Sequence, residues 1–192
     1  MGLVYLNGEY KPIEEASVNV LDRGFIFGDG VYEVIPIFNR KIFRFDEHIR
    51  RLENSLKAIY MNNPLEKKEW HNIFNQLINS SEHLNQSIYL QITRGVSERD
   101  HDISVADKPT IFAMIRPIEK NDFSSGIKAI THEDIRWQYC DIKAITLLPS
   151  ILLRHKAKQQ GAREAILIRN GYVTEGAASN IFVCANGKIV TP

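Results

Sequence analysis

The chain has 192 residues, of which 44% are hydrophobic and 24% are charged, so it has enough apolar side chains to bury a sizeable core. Its 24 basic and 23 acidic residues give a net charge of +1, which offers no electrostatic basis for binding nucleic acid or an anionic membrane. No apolar run is long enough to span a bilayer, and the N-terminus lacks the pattern of a signal peptide. The only cysteines, Cys140 and Cys184, form neither a disulfide framework nor a metal site, which favours a cytoplasmic protein with free thiols.

The first part of the chain predicts strands around two helices. Alternating apolar residues indicate strands, and apolar residues at helical spacing indicate helices. In chain order these are a hairpin over 4–11, strands over 31–38 and 41–45, helices over 46–60 and from 64 to about 80, and strands over 87–93 and 110–115. Asp46 is the predicted N-cap of the first helix. Glycines on both sides of residues 25–27 indicate tight turns or a close approach of the backbone.

The polar stretch 118–126 is expected to link two domains. Beyond it, the same patterns predict a strand over 127–131, a helix over 149–160, and strands over 165–169, 172–174, 181–184 and 188–191.

Lys143 is the first candidate for chemistry. Its neighbours Ile142, Ala144 and Ile145 predict apolar surroundings, where burial lowers the pKa of an amine and makes it a nucleophile towards aldehydes and ketones. The alternative is a lysine whose stem lies along apolar surface while its ammonium group reaches water.

Other candidates are weaker when taken singly. Tyr32 opens a strand, where a half-buried aromatic residue with no site role is common. Arg51 lies off the apolar face of its helix, where arginines usually face solvent. Arg99 and His101 lie two residues apart in a polar loop, and together they could bind a carboxylate through the donor fork of the arginine.

Four stretches carry a resemblance in this order and spacing: residues 22–33, DRGFIFGDGVYE; residues 47–52, EHIRRL; residues 140–143, CDIK; and residues 173–180, VTEGAASN. With them, the chain closely resembles the class IV, or fold-type IV, aminotransferases that depend on pyridoxal phosphate. Within that family it is most similar to the bacterial D-amino-acid transaminases, which carry an arginine and a histidine two residues apart after a Thr-Arg-Gly motif. Arg99 and His101 match this pair.

The resemblance implies an α+β fold, with a small α/β domain over residues 1–120 and the first part of a larger pseudo-barrel β domain with helices over residues 121–192. It also implies a homodimer that acts on an amino acid and a 2-oxo acid. Lys143 would be the catalytic residue and carry the cofactor covalently. Arg51 would bind the cofactor phosphate and Glu175 the ring nitrogen. The substrate carboxylate would lie against Tyr32, Arg99 and His101.

Three alternatives stay open: an aminodeoxychorismate lyase, a branched-chain aminotransferase and an inactive interaction domain. Ala177 and Ala178 depart from the serines that the D-specific enzymes tend to carry, so a hydroxyl contact to the phosphate would be missing. Members of the family also run considerably past the position of Pro192. Residues 1–192 alone are therefore expected to be poorly soluble and to hold the cofactor weakly.

Overall fold

The computed structural model describes residues 2–103, 106, 108–119 and 124–192. It divides the chain into two compact units. The first comprises Met1–Glu119 and Asp141–Thr146, and the second comprises Lys120–Cys140 and Leu147–Pro192.

The strands of the first unit are β1 (Leu3–Leu6), β2 (Glu9–Pro12), β3 (Gly30–Phe38), β4 (Lys41–Ile42), β5 (Gln86–Thr93) and β6 (Thr110–Pro117), and its helices are α1 (Arg23–Phe27), α2 (Phe45–Ala58) and α3 (Lys67–Asn79). The second unit contains β7 (Ala129–Glu133), α4 (Leu148–Gln159), β8 (Glu164–Arg169), β9 (Tyr172–Gly176), β10 (Val183–Ala185) and β11 (Lys188–Val190).

An antiparallel sheet in the order β2-β1-β6-β5-β3-β4 forms the first unit, with β2 and β4 at its two edges. The inward side chains of β5 are Ile88, Leu90 and Ile92, which are fully buried as their alternation predicts. They pack with apolar residues of α2 and α3, including Leu56 and Trp70, in one hydrophobic core. Each such buried side chain contributes about 1.5–3 kcal/mol to folding.

The helix starts in this unit differ from the prediction. Asp46 is not an N-cap, because α2 begins at Phe45 after Arg44, which has a left-handed backbone and makes no capping bond with its side chain. Helix α3 was predicted to begin at Pro64 but begins three residues later, at Lys67. Glu66 and Glu69 form a reciprocal capping box that fixes the first turn there.

In the second unit, β8 pairs in parallel with β7 and antiparallel with β9, so β7, α4 and β8 form a crossover unit. Leu153 and Ala157 of α4 are fully buried against the sheet, next to Ala165 and Leu167 of β8. The described residues of this unit also include the separate hairpin β10–β11. Strand β7 begins at residue 129 rather than at the predicted residue 127.

The segment Asp141–Thr146, which carries Lys143, groups with the first unit although it follows the predicted linker. Its backbone explains this difference. Ala144 forms a β-bridge with Val31, Tyr32 N–H donates to the Lys143 carbonyl over 2.9 Å, and Ile145 N–H donates to the Gly30 carbonyl over 3.1 Å. These bonds align the segment with the start of β3.

Candidate active site

The Lys143 side chain lies beside an aromatic ring at the start of β3. Its backbone is held by the bonds to β3 and by a further bond from its own N–H to the Ser55 hydroxyl of α2, over 3.2 Å. The side chain is half-buried, and Nζ lies 4.1 Å from the centroid of the Tyr32 ring. When it is protonated, the amine interacts favourably with the face of that ring. Both predicted residues, Lys143 and Tyr32, are thereby brought into contact.

Tyr32 is itself fixed by a second tyrosine on the neighbouring strand. Its ring stacks on Tyr89 of β5 with centroids 5.9 Å apart, and the Tyr89 hydroxyl donates to Gln91 over 2.7 Å. Burial raises the pKa of Tyr89, and the neighbouring Tyr32 adds to that shift. The Tyr32 ring therefore has one preferred orientation next to the lysine amine.

A buried carboxylate holds Arg51 next to this cluster. Glu33 follows Tyr32 on β3, its side chain is only 1% exposed, and it accepts from Arg51 Nε over 2.6 Å and from Arg51 Nη2 over 2.7 Å. His48 Nδ1 lies 2.9 Å from Glu33 Oε2, the oxygen that also accepts from Arg51 Nη2. Burial alone would raise the pKa of Glu33, but the bonds from Arg51 and His48 outweigh it and lower that pKa.

Half of the Arg51 side chain is exposed, and its Nη1 has no hydrogen-bond partner among the described residues. The guanidinium group is thus oriented by Glu33 and retains donor capacity for an anion.

The predicted loop pair, Arg99 and His101, meets at one phenylalanine. The Arg99 guanidinium lies 5.4 Å from the centroid of the Phe27 ring, and the centroids of the Phe27 and His101 rings are also 5.4 Å apart. Among the described residues, no hydrogen bond, ion pair or ring contact joins Tyr32 to either of them. The three residues predicted to bind the substrate carboxylate therefore form two separate contacts, one at Phe27 and one at Lys143.

Beneath this loop lies a buried ion-pair cluster that the sequence did not predict. Asp29 accepts from Arg23 Nε over 2.8 Å and from Arg94 through Nε and Nη2, over 2.8 and 3.0 Å. Burial opposes ionisation of Asp29, but the bonds from Arg94 and Arg23 outweigh it and lower its pKa.

Glu175 lies in the second unit, on β9, where it contacts Arg136. Arg136 is fixed in turn by two bonds to the fully buried Asp134 carboxylate, of 2.9 and 3.0 Å. Burial opposes ionisation of Asp134, but hydrogen bonds from Arg136 and Thr174 lower its pKa to about 2. Glu175 is therefore a partly exposed carboxylate with an oriented cationic neighbour.

Four of the residues that hold the site were not predicted: Glu33, Ser55, Arg23 and Arg136. For Glu33 and Ser55 the sequence contained a signal, because each polar residue falls on the buried face of its strand or helix, where apolar side chains are expected. Arg23 and Arg136 carry no such signal, because their partners are distant in sequence or lie in irregular segments.

No described helix is long and apolar enough to cross a membrane, and the described residues contain no group of three or more His, Cys, Asp or Glu side chains arranged to hold a metal ion.

Comparison with known proteins gives consistent matches. The family model described as amino-transferase class IV matches residues 30–192. A D-alanine aminotransferase from Bacillus licheniformis is 40% identical over 190 residues, which cover 98% of this chain and 67% of the relative. The chain thus spans about two thirds of the length of that curated relative.

Solved structures also share the fold. The branched-chain amino acid aminotransferase of Escherichia coli superposes with a TM-score of 0.89 at 24% identity, over 100% of this chain and 67% of that one. The branched-chain aminotransferase of the thermophilic archaeon Thermoproteus uzoniensis, solved with norvaline, has a TM-score of 0.86 at 25% identity, over 100% of this chain and 68% of that one.

Proposed function

Since the chain belongs to the class IV aminotransferases, we propose that it moves an amino group between a D-amino acid of the D-alanine type and a 2-oxo acid. This membership confirms the family and the α+β fold class predicted from the sequence. The observation that carries the proposal is the half-buried Lys143 amine, which lies 4.1 Å from the centroid of the Tyr32 ring. Glu33, the residue after Tyr32 on β3, orients Arg51. The 40% identity to a D-alanine aminotransferase supports the D-amino acid as substrate.

Enzymes of this family depend on pyridoxal phosphate, and the residues present fit that cofactor. A phosphorylated pyridine aldehyde needs an amine, a cation for its phosphate and a carboxylate for its ring nitrogen. Lys143, Arg51 and Glu175 supply these groups. When bound, the cofactor acts as an electron sink for the negative charge that develops on the substrate α-carbon.

Each residue then has a defined task in the proposal. The Lys143 amine would hold the cofactor covalently and would move the substrate α-proton as a general base. Arg51 binds the phosphate through the part of its guanidinium group that Glu33 does not occupy. Glu175 keeps the ring nitrogen protonated, and its contact with Arg136 sets the direction in which the carboxylate points.

Tyr32, Arg99 and His101 bind the α-carboxylate of the substrate in this proposal, and the side from which they do so selects the D-enantiomer. Arg99 supplies a planar donor fork, which suits a carboxylate better than a single ammonium group would. Residues 1–120 and 121–192 are proposed as the small domain and as part of the larger one, within a homodimer in the cytoplasm. Membership of the family supports the homodimer, because the resemblance to that family implies one.

The proposal is tested in the holoenzyme by two measurements. Borohydride reduction followed by peptide mass mapping should place the pyridoxyl label on Lys143, and a label on another lysine would refute that assignment. Transfer to 2-oxoglutarate should be faster from D-alanine than from L-leucine or L-isoleucine. A preference for the L-amino acids would instead indicate a branched-chain enzyme, and pyruvate release from aminodeoxychorismate would indicate the lyase.

A further inference from the structure

We propose that Arg23 is a positioning residue that holds the loop of Arg99 and His101 in its substrate-binding shape and so sets the affinity for the substrate carboxylate. This inference rests on the proposed function, because it takes the roles of Arg99 and His101 from it. Arg23 has no task in the proposed chemistry, although its side chain is only 4% exposed.

The contacts of Arg23 join the loop to the interior. Its Nε donates to Asp29, while its Nη1 donates to the carbonyl oxygens of Asp100, over 2.6 Å, and Asp102, over 3.3 Å. These two carbonyls lie on either side of His101 in sequence. The same guanidinium group lies 4.9 Å from the centroid of the Phe27 ring, which also contacts Arg99 and His101. Arg23 therefore holds both the backbone of the loop and the Phe27 ring, which the side chains of Arg99 and His101 contact.

Backbone pairing holds the first part of this loop. Val96 forms a β-bridge with Asp22, Arg23 N–H donates to the Gly95 carbonyl, and Ser97 N–H donates to the Leu21 carbonyl. Further along the loop, the Arg23 side chain bonds to the carbonyls of Asp100 and Asp102, and Phe27 contacts Arg99 and His101.

An arginine is needed because three acceptors lie in different directions. A guanidinium group carries five N–H donors in a fixed plane, so it can bind Asp29 and two carbonyls at once. A lysine at this position would keep the charge and could bind Asp29, but its compact ammonium group could not also span to both carbonyls. Arg23→Lys should therefore remove the bonds to the Asp100 and Asp102 carbonyls while preserving the ion pair with Asp29.

Arg94→Lys is a matched control. Arg94 binds the same Asp29 carboxylate, but its remaining bond goes to the Ile59 carbonyl, over 2.6 Å, and not to the loop. Both substitutions keep a cation beside Asp29, and only Arg23→Lys removes hydrogen bonds to the loop. Phe27→Leu is a second variant, which removes the ring and leaves the hydrogen bonds of Arg23 in place.

The test measures KM and kcat for D-alanine in the holoenzyme, together with amide hydrogen exchange of residues 99–103. We expect Arg23→Lys to raise KM on the order of ten- to a hundredfold, the size of effect that a misplaced binding group produces, with a smaller change in kcat. Exchange of these amides should accelerate while exchange in β3 and β5 stays unchanged. Phe27→Leu should change KM in the same direction, and Arg94→Lys should leave it close to wild type.

A double-mutant cycle with Arg99→Ala separates positioning from general stability. If Arg23 acts through the loop, Arg23→Lys should add little to KM once Arg99 is absent, because coupled residues are not additive. Fully multiplicative effects, or an unchanged KM in Arg23→Lys when Arg99→Ala raises it, would overturn the inference. If Arg99→Ala itself leaves KM unchanged, the proposed carboxylate site is wrong. Unchanged exchange at residues 99–103 in Arg23→Lys would independently refute the positioning role.

Discussion

Replacing Arg51 by alanine should destabilise the apoprotein as well as weaken cofactor binding, because Arg51 is the main counter-ion of a buried carboxylate. Glu33 has a side chain that is 1% exposed, and it accepts two bonds from Arg51, of 2.6 and 2.7 Å. The substitution removes both bonds and leaves the carboxylate with His48 alone, at 2.9 Å.

The size of the loss follows from these exposures. Breaking a buried ion pair from one side costs about 3–5 kcal/mol, because a charge is left buried without its partner. Here half of the Arg51 side chain is exposed, so solvent already screens part of the attraction, and the contact between His48 and Glu33 remains. We therefore expect a loss of about 2 kcal/mol in the free energy of unfolding at neutral pH.

Urea unfolding of the apoprotein measures this loss, with Arg50→Ala as the control. Arg50 is the exposed preceding residue of the same helix, so its replacement changes net charge and helix composition without touching Glu33. The double variant Glu33→Gln/Arg51→Ala should recover much of the stability, since an amide leaves no buried charge, and should still bind the cofactor weakly. Recovery of stability without recovery of binding would separate the two tasks of Arg51.

The stability difference between wild type and Arg51→Ala should depend on pH through the pKa of Glu33. In wild type the pKa of Glu33 is lowered, so its stabilising contribution is complete above the ordinary pKa of a glutamate and is lost as pH falls through the lowered value. Without Arg51, burial raises that pKa, so protonation relieves the variant as pH falls from 8 towards 5. The stability difference between the two proteins should narrow over this range. An Arg51→Ala apoprotein as stable as Arg50→Ala at pH 8 would refute the reasoning.

Two further substitutions probe other parts of the structure. Asp134→Asn should lower the free energy of unfolding by about 2 kcal/mol at neutral pH, because the pKa of Asp134 is lowered from 3.8 to about 2. That contribution is complete above pH 4 and is lost as pH falls through 2. Unfolding of both proteins at decreasing pH should therefore show the difference in stability disappearing, and a constant difference would contradict the prediction. Gly95→Ala should lower the free energy of unfolding, measured in urea, by about 1–3 kcal/mol more than Gly8→Ala does. Both glycines have the same left-handed backbone, at φ +99 and +98, but a Cβ on Gly95 would lie 1.7 Å from the Lys108 carbonyl oxygen while Gly8 has open space around it. Equal losses would show that this contact can relax.

Much of the first unit could be predicted from the sequence because its signals are local and repeated. The alternation in β5 identifies its buried face, and Asn7-Gly8 and Asn39-Arg40 identify turns at residues that have positive φ in the structure. The starts of α2 and α3 were less predictable. Asp46 has the side chain of a good N-cap, but the left-handed Arg44 starts α2 one residue before Asp46.

The site was predictable only where it coincides with motifs. The resemblance drew attention to Lys143, Tyr32 and Arg51, and the structure adds the contacts that hold them. Those contacts join residues far apart in the chain, such as Arg51 to Glu33 and the backbone of Lys143 to Ser55. A pairing of this kind depends on how strands and helices are placed in three dimensions, and no periodic pattern in one sequence encodes it.

The order of strands in the first unit also bears on self-association. β5 has a β-prone sequence without charge or proline, of the kind that stacks into fibrils when it is exposed, yet it lies between β3 and β6 with both of its ladders filled. The edge strands are poor templates for pairing with another chain, because β4 has two residues and β2 carries Glu9, Lys11 and Pro12. Fibril growth through β5 therefore requires the loss of a whole neighbouring strand, so its rate should follow global unfolding rather than fraying at the edges.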